Sequence, residues 1–314
     1  MRKLILIVSV LFVASLLCSS EITIHLTNGT SESFEISDIE MITFGEPPDT
    51  LFEWCTVTAG EYTYGQGDTI KTIDYDYQIM KNEVTNSQYV TYLEEAYAAG
   101  DIWIAGGDVV GYYEGDEYWP AGNYDFYDLG TPTTYNYAQI SYDGNSFGIN
   151  VPSGYNPGDF DNHPVVYVTW FGSWAFAEHY GLRLPSEHEW EKAARGNTGY
   201  DYPWGDNIDG SRANYYDSGD PWDNGTTPVG MYNGQTIQGF QTTDSPSPFG
   251  VYDMAGNVWD WTDSFWSGTS SYRVIRGGGW SFNTDYLRSW SRDNYNPYGG
   301  SYLIGFRCCR ALLR

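Results

Sequence analysis

A mixed α+β fold, with few helices, short strands and much loop, is what this sequence predicts. Three observations lead there. Only three stretches read as helices, two of them with caps and all three with glycine stops. The apolar runs elsewhere are short. Long segments are dominated by Gly, Asp, Asn, Tyr and Pro and have no helical period.

The chain opens "MRKLILIVSVLFVASLLCSSE". A basic start (Arg2, Lys3), an apolar run from Leu4 to Leu17 and a small-residue exit read as a secretory signal peptide over 1–20, with cleavage after Ser20. The run is too short for a membrane anchor. Lipid attachment at Cys18 is the alternative, weakened by Leu17 just before it. An exported, periplasmic or extracellular protein is expected. Residues 21–46 alternate apolar and polar around the turn signal Asn28-Gly29. They read as a small β module: a hairpin, then a short strand near Met41 to Phe44. "EPPDT" marks a linker over 47–51.

The main domain is expected over 52–314. "FEWCTVTAGEYTYG" reads as two short strands. "NEVTNSQYVTYLEEAYAAG" is the first helix, with Thr85 and Gln88 as a capping box and Gly100 as its stop. Residues 101 to 160 read as loops and short strands. A strand over Pro164 to Val168 leads into a helix from Trp170 to Tyr180, ending at Gly181. Ser186 and Glu189 box the next helix, which stops at Gly196. From Asn197 to Gly250 periodicity is absent, and so long an irregular run usually has a function or a bound ion holding it. "RVIRGGGWSFNTDYLRSWSRD" is a strand running into Gly277 to Gly279, with aromatic residues set among polar ones. Glycines permit close approach and aromatics supply flat apolar area, so it reads as a site.

Composition bounds the partners. The 314 residues include 41 acidic and 15 basic side chains, a net charge of −26. Such a surface repels nucleic acid and anionic lipid and favours solubility; it also suits divalent cations. No segment after the leader is apolar enough to span a bilayer. With 41% hydrophobic and 18% aromatic residues, a sizeable core is available. Beyond the leader, Cys55, Cys308 and Cys309 remain, and one bridge from Cys55 to the C-terminal pair is expected.

Three constellations call for weighing from the residues alone. In "YDMAGNVWDW", Asp253 and Asp260 are hard oxygen donors around a turn at Ala255-Gly256, which suits calcium. An Asx-type turn with Asp260 at a cap is the plainer reading. His163, His179 and His188 lack zinc spacing. Arg276, Arg288 and Arg292 are expected to be partly buried and paired with acidic groups. Neither a nucleophile elbow, a P-loop nor a dinucleotide fingerprint is present.

The ordered series "NEVTNSQYVTYL", "HPVVYVTWFGSWAFA", "RLPSEHEWEKAARG", "YPWGD", "FGVYDMAGNVWDWTDSFW", "RVIRGGGW" and "GFRCC" resembles the formylglycine-generating enzyme, or sulfatase-modifying-factor, domain family, from about Phe52 to Arg314. The resemblance implies a compact, loop-rich α+β fold related to C-type lectins. It also implies, for catalytic members, a copper-dependent oxidation of a sulfatase cysteine in which two thiolates hold Cu(I). There the strand ends Gly-Gly-Ser, one copper cysteine follows three residues later and a second five further on. Those places are Gly279, Phe282 and Leu287 here, so no copper is expected.

"GFRCC" matches a closing strand where a structural cysteine is common. Its usual partners in the two helices are Ala177 and Ala194 here. By resemblance, calcium would take the Asp253 and Asp260 side chains with the Gly256 and Val258 carbonyls. A second calcium would take Asn214, the Tyr215 carbonyl, Asp220 and the Trp222 carbonyl, with Asp217 and Asp223 as competing donors.

The expectation is thus a calcium-stabilised, monomeric binding protein for a peptide, glycan or surface partner. Its cleft would lie around Trp259, Trp280, Phe282 and Arg288. One alternative is an active oxidase using Cys308 or Cys309. The other is a diversified binder with a variable face over Asn283 to Tyr302.

Overall fold

The computed structural model describes residues 21–25, 31–35, 51–130, 135–267 and 271–312. The leader, the strand expected at Met41 to Phe44 and nearly all of the linker lie outside them. The chain divides into two compact units, Met1–Asp49 and Thr50–Arg314.

In the first unit, β1 (Glu21–His25) and β2 (Ser31–Glu35) pair antiparallel, from Glu21 opposite Glu35 to His25 opposite Ser31. This is the expected hairpin.

The second unit begins with β3 (Trp54–Val57), β4 (Gly60–Tyr64), β5 (Thr69–Ile73) and β6 (Tyr77–Met80), then α1 (Asn86–Ala99). Next come β7 (Ile102–Ala105), β8 (Asp108–Tyr113), β9 (Gly122–Tyr127), β10 (Gln139–Tyr142) and β11 (Phe147–Asn150). Then follow α2 (Trp170–His179), α3 (Glu187–Arg195) and the two-residue strands β12 (Thr236–Ile237) and β13 (Phe240–Gln241). The chain closes with β14 (Trp259–Phe265), β15 (Arg273–Arg276), β16 (Arg292–Tyr295), β17 (Ile304–Phe306) and β18 (Cys309–Ala311).

Local chemistry fixes the helix ends. The Thr85 Oγ1 accepts the Gln88 N–H at 3.2 Å, and Gln88 Oε1 accepts the Thr85 N–H at 3.0 Å. That closes the capping box before α1, and Gly100 stops the helix at φ 83°. Ser186 and Glu189 do the same for α3. Thr169 caps α2 alone, through the Gly172 N–H at 3.0 Å.

Two sheets frame the rest. One orders its strands β16-β15-β14-β17, with β14 and β17 parallel, and the other β18-β6-β3. The main core packs α1 and α2 against Trp259, Trp261 and Phe306. A second apolar cluster joins α3 to the β18-β6-β3 sheet through Trp190, Ile79 and Val251.

The strand expected over Pro164 to Val168 is not one. It makes only two isolated bridges, Thr85 to Pro164 and Tyr127 to Val168. Proline has no N–H to give a ladder, and Tyr167 sits in the left-handed region at φ 64°. The run is apolar because Val165, Val166 and Val168 are fully buried.

Candidate functional site

At the end of β15 the glycine run turns back on the protein itself. Gly278 has φ 78°, and a Cβ there would lie 2.7 Å from Leu287 Cδ1. The space that three glycines open is filled by Leu287 from the 3₁₀ turn Thr284–Leu287. Leu287 is wholly buried against Tyr202, Ala213 and Ala255. Phe282 is half-buried, its ring edge-on to Trp259 at 5.6 Å and tilted on Tyr286 at 5.1 Å. Phe282 and Leu287, the places where the resemblance leads one to expect copper cysteines, thus form an apolar plug.

Two of the four residues expected to line a cleft are core residues. Trp259 is 1% exposed within the main core, and Trp280 is 5% exposed beside Tyr137, Val166 and Val258. Arg288 donates to Asp201 at 2.7 Å and to Asp285 at 2.8 Å. Tryptophan carries so much apolar area that burial decided the first two, which the sequence pattern alone did not reveal.

The expected disulfide also fails. Cys55 and Cys309 each stand opposite Ile79, one on either side of β6. Strands two apart are separated by roughly 9.5 Å, beyond the ~7 Å that a bridge tolerates. Cys308 points the other way, into the main core, while Cys309 joins the second cluster. All three thiols are free and buried. Ala177 packs in the cluster of Cys308 and Ala194 in that of Cys309. Burial drives the Cys308 and Cys309 thiols well above their ordinary range, so they stay protonated.

The "YDMAGNVWDW" loop builds a buried polar cluster. Asp260 Oδ2 accepts from Trp190 Nε1 and from Arg307 Nε, each at 2.7 Å. Its Oδ1 is buried without a partner among the described residues. Asp253 Oδ2 accepts the Gly230 N–H at 2.6 Å. Glu83, fully buried, accepts from Asn257 Nδ2 at 2.6 Å and from the Val258 N–H at 3.3 Å. Gly256 must be glycine: at φ 93° a Cβ would lie 2.2 Å from the Asn214 carbonyl oxygen.

Three carboxylates therefore share one guanidinium. Burial, then Asp253 and Asp260, hold Glu83 well above the usual carboxylate range, and burial pushes Asp253 up to about 6. Surplus negative charge and an orphaned Asp260 oxygen are what a hard cation would relieve, and the donors are all oxygen. The set fits calcium on those grounds. Among the described residues no group of three or more His, Cys, Asp or Glu side chains converges on one metal position. Any ion would lean on the carbonyls of Gly256 and Val258. Sequence reasoning missed Glu83 and Arg307, although "GFRCC" carries a charged residue inside an apolar run.

The second set of expected ligands is internally satisfied. Asp220 Oδ1 accepts the Trp222 N–H and Oδ2 the Ser218 hydroxyl, both at 2.7 Å. The Tyr215 carbonyl accepts the Ser218 N–H at 3.1 Å. Asn214 donates to the Gly225 carbonyl at 2.9 Å. These bonds close a turn.

The histidines are structural. His163 is buried against Phe160 and Trp222, hydrogen-bonded to Thr226, and desolvation pushes it down to about 3. His188 is half-buried on Tyr62, not exposed as its helical position suggests. The arginines are paired as expected: Arg276 with Glu191, and Arg292 with Glu187 at 2.9 Å.

Comparison with known proteins gives this arrangement a context. The family described as "Sulfatase-modifying factor enzyme 1-like domain" matches residues 43–312. A serine/threonine-protein kinase pkn1 of Chlamydia caviae is 36% identical over 49% of this chain and 25% of its own length. An inactive C-alpha-formylglycine-generating enzyme 2 of Bos taurus is 34% identical over 46% of this chain and 49% of its own. A formylglycine-generating enzyme of Streptomyces coelicolor is 33% identical over 47% and 52%. The chain thus spans a quarter to about half of the curated relatives it matches. The solved structure of PvdO from Pseudomonas aeruginosa superposes with TM-score 0.56 at 22% identity, covering 82% of this chain and 94% of that one. The likeness to PvdO is one of fold.

Proposed function

Since the chain belongs to the sulfatase-modifying factor enzyme 1-like family, we propose that it uses that family's α+β scaffold to bind and does not oxidise cysteine. The observation that carries this reading is the apolar pair Phe282 and Leu287, packed against Trp259, Tyr202 and Ala255. Neither side chain offers a donor for Cu(I), which selects thiolates. The alternative oxidase, built on Cys308 and Cys309, needs thiolates in one accessible place. These two point into separate cores and are held protonated by burial.

The binding face we favour is the run Asn283 to Tyr302. Tyr286, Tyr298 and Tyr302 are exposed there, interspersed with Asn, Asp, Ser and Gly. Tyrosine gives large contact area at low conformational cost and the small polar residues give adaptable hydrogen bonds, a pairing suited to a peptide, glycan or cell-surface partner. Calcium, held by the Asp253 and Asp260 side chains and the Gly256 and Val258 carbonyls, would supply counter-charge to the buried carboxylates. The leader pattern of residues 1–20 would deliver the chain outside the cytoplasm. None of the helices among the described residues is long and apolar enough to cross a membrane.

The direct test incubates the purified chain with copper(I), oxygen and a sulfatase-type cysteine peptide, and reads the peptide by mass spectrometry. The cysteine is expected to stay unconverted. Conversion to formylglycine above a no-protein control would overturn the reading.

A further inference from the structure

A cavity of about 370 Å³ lies between α2, the hairpin β8–β9 and the far ends of β14 and β15. None of the residues discussed so far for calcium or for the binding face lines it. Its walls are aromatic and its rim is acidic. Trp174 and Tyr113 meet edge-on at 4.7 Å, and Phe265 lies across from them.

On the floor, Arg273 is 2% exposed and held between the Trp170 and Phe265 rings, 3.7 Å from each centroid. Asp116 and Asp263 neutralise it. Its Nε–H is nevertheless buried with no acceptor among the described residues.

Glu178 is the side chain left over. It follows Trp170 and Trp174 at steps of four along α2, so all three face the cavity. It has neither a hydrogen bond nor an ion pair among the described residues. Its charged neighbours, Glu114 and Asp263, are acidic too, and burial together with them raises its carboxyl. The other cavity cation, Arg183, is already clamped by both oxygens of Glu189. The cavity therefore sets an exposed, unpaired carboxylate beside the half-buried Trp174 and Phe265 rings, over an arginine whose buried Nε–H has no acceptor among the described residues.

We propose that this cavity is a receptor for a basic side chain carried on a peptide. The ammonium or guanidinium pairs with Glu178 and the outer edge of Asp263. Its aliphatic stem lies on Trp174, where the ring's negative face adds to the attraction. A peptide carbonyl lies over the floor, within reach of the Arg273 guanidinium once that side chain shifts to uncover its orphaned Nε–H. The volume suits one side chain and the backbone next to it. The net charge of −26 draws a cationic segment toward the surface from a distance. This inference goes beyond the binding face proposed above and does not depend on it.

The test titrates the full purified chain with Ac-Gly-Lys-Gly-amide and Ac-Gly-Arg-Gly-amide by calorimetry, with cadaverine as the free-amine probe. Glu178→Gln and the distant, exposed Glu61→Gln serve as variants, each checked for an unchanged melting temperature. Saturable binding of at least one basic peptide is expected. Affinity should fall tenfold or more in Glu178→Gln, hold in Glu61→Gln, drop as salt rises, and exceed that of cadaverine by tenfold. The proposal is overturned if neither peptide binds saturably, or if Glu178→Gln binds as tightly as the parent. Cadaverine binding as tightly as the peptides would also reject it, assigning the cavity to free amines instead.

Discussion

Leu287 shows how one side chain decides what this region can do. It occupies the hollow that Gly278 leaves and touches no solvent. Its truncation removes buried methyl groups and leaves a gap that a rigid glycine turn cannot close. Leu287→Ala is expected to cost about 2–5 kcal/mol in urea unfolding. A loss below 1 kcal/mol would mean that the site collapses easily and that the plug is not structural. The identity of this residue was legible in the sequence. Its burial was not, because three glycines read equally well as room for a ligand and room for a leucine.

At the scale of elements, α3 and β15 are joined by charge. Glu191 on α3 pairs with Arg276 on β15 and lies 3.5 Å from Arg195 one turn along its own helix, all three side chains being fully buried. Its Oε1 also accepts the Gly65 N–H at 2.6 Å. Removing the carboxylate charge leaves the buried Arg276 guanidinium without a carboxylate partner among the described residues, while Arg195 keeps Asp68 at 3.0 Å. Glu191→Gln is expected to destabilise by about 3–5 kcal/mol, measured by chemical denaturation. A neutral result would show that water enters this cluster. The helices themselves were readable because capping is local: Thr85, Ser186 and Gly100 lie within a few residues of the backbone groups they serve. The disulfide was misread because nothing local says that β6 intervenes between β3 and β18.

For the whole molecule, the stretch between α3 and β14 contributes only β12 and β13 as regular structure. It is held by turns such as that around Asp220 and by contact with the Asp253–Asp260 loop, where the Asn257 N–H donates to the Asn214 carbonyl at 2.9 Å. If calcium neutralises that loop, it binds the folded state alone and stabilises it by mass action. At calcium one hundred times its dissociation constant the gain is about 2.7 kcal/mol. Calorimetry of chelator-treated protein should therefore show a melting temperature several degrees higher with millimolar calcium, and the rise should vanish in Asp253→Asn/Asp260→Asn. An identical melting temperature with calcium and with chelator would remove the ion from the account. In its absence, the Arg307–Asp260 pair is what balances the cluster.

By itself the sequence determined the α+β class, the three helices, the caps of two of them, the irregular middle and the lack of sulfur at Phe282 and Leu287. Each follows from residue type or from spacing within a turn of chain. Only the tertiary structure decided where the tryptophans go, which strand separates Cys55 from Cys309, and that Glu83 and Arg307 meet Asp260. Those outcomes depend on groups far apart in the chain sharing one dry volume, where apolar area and unpaired charge are weighed together.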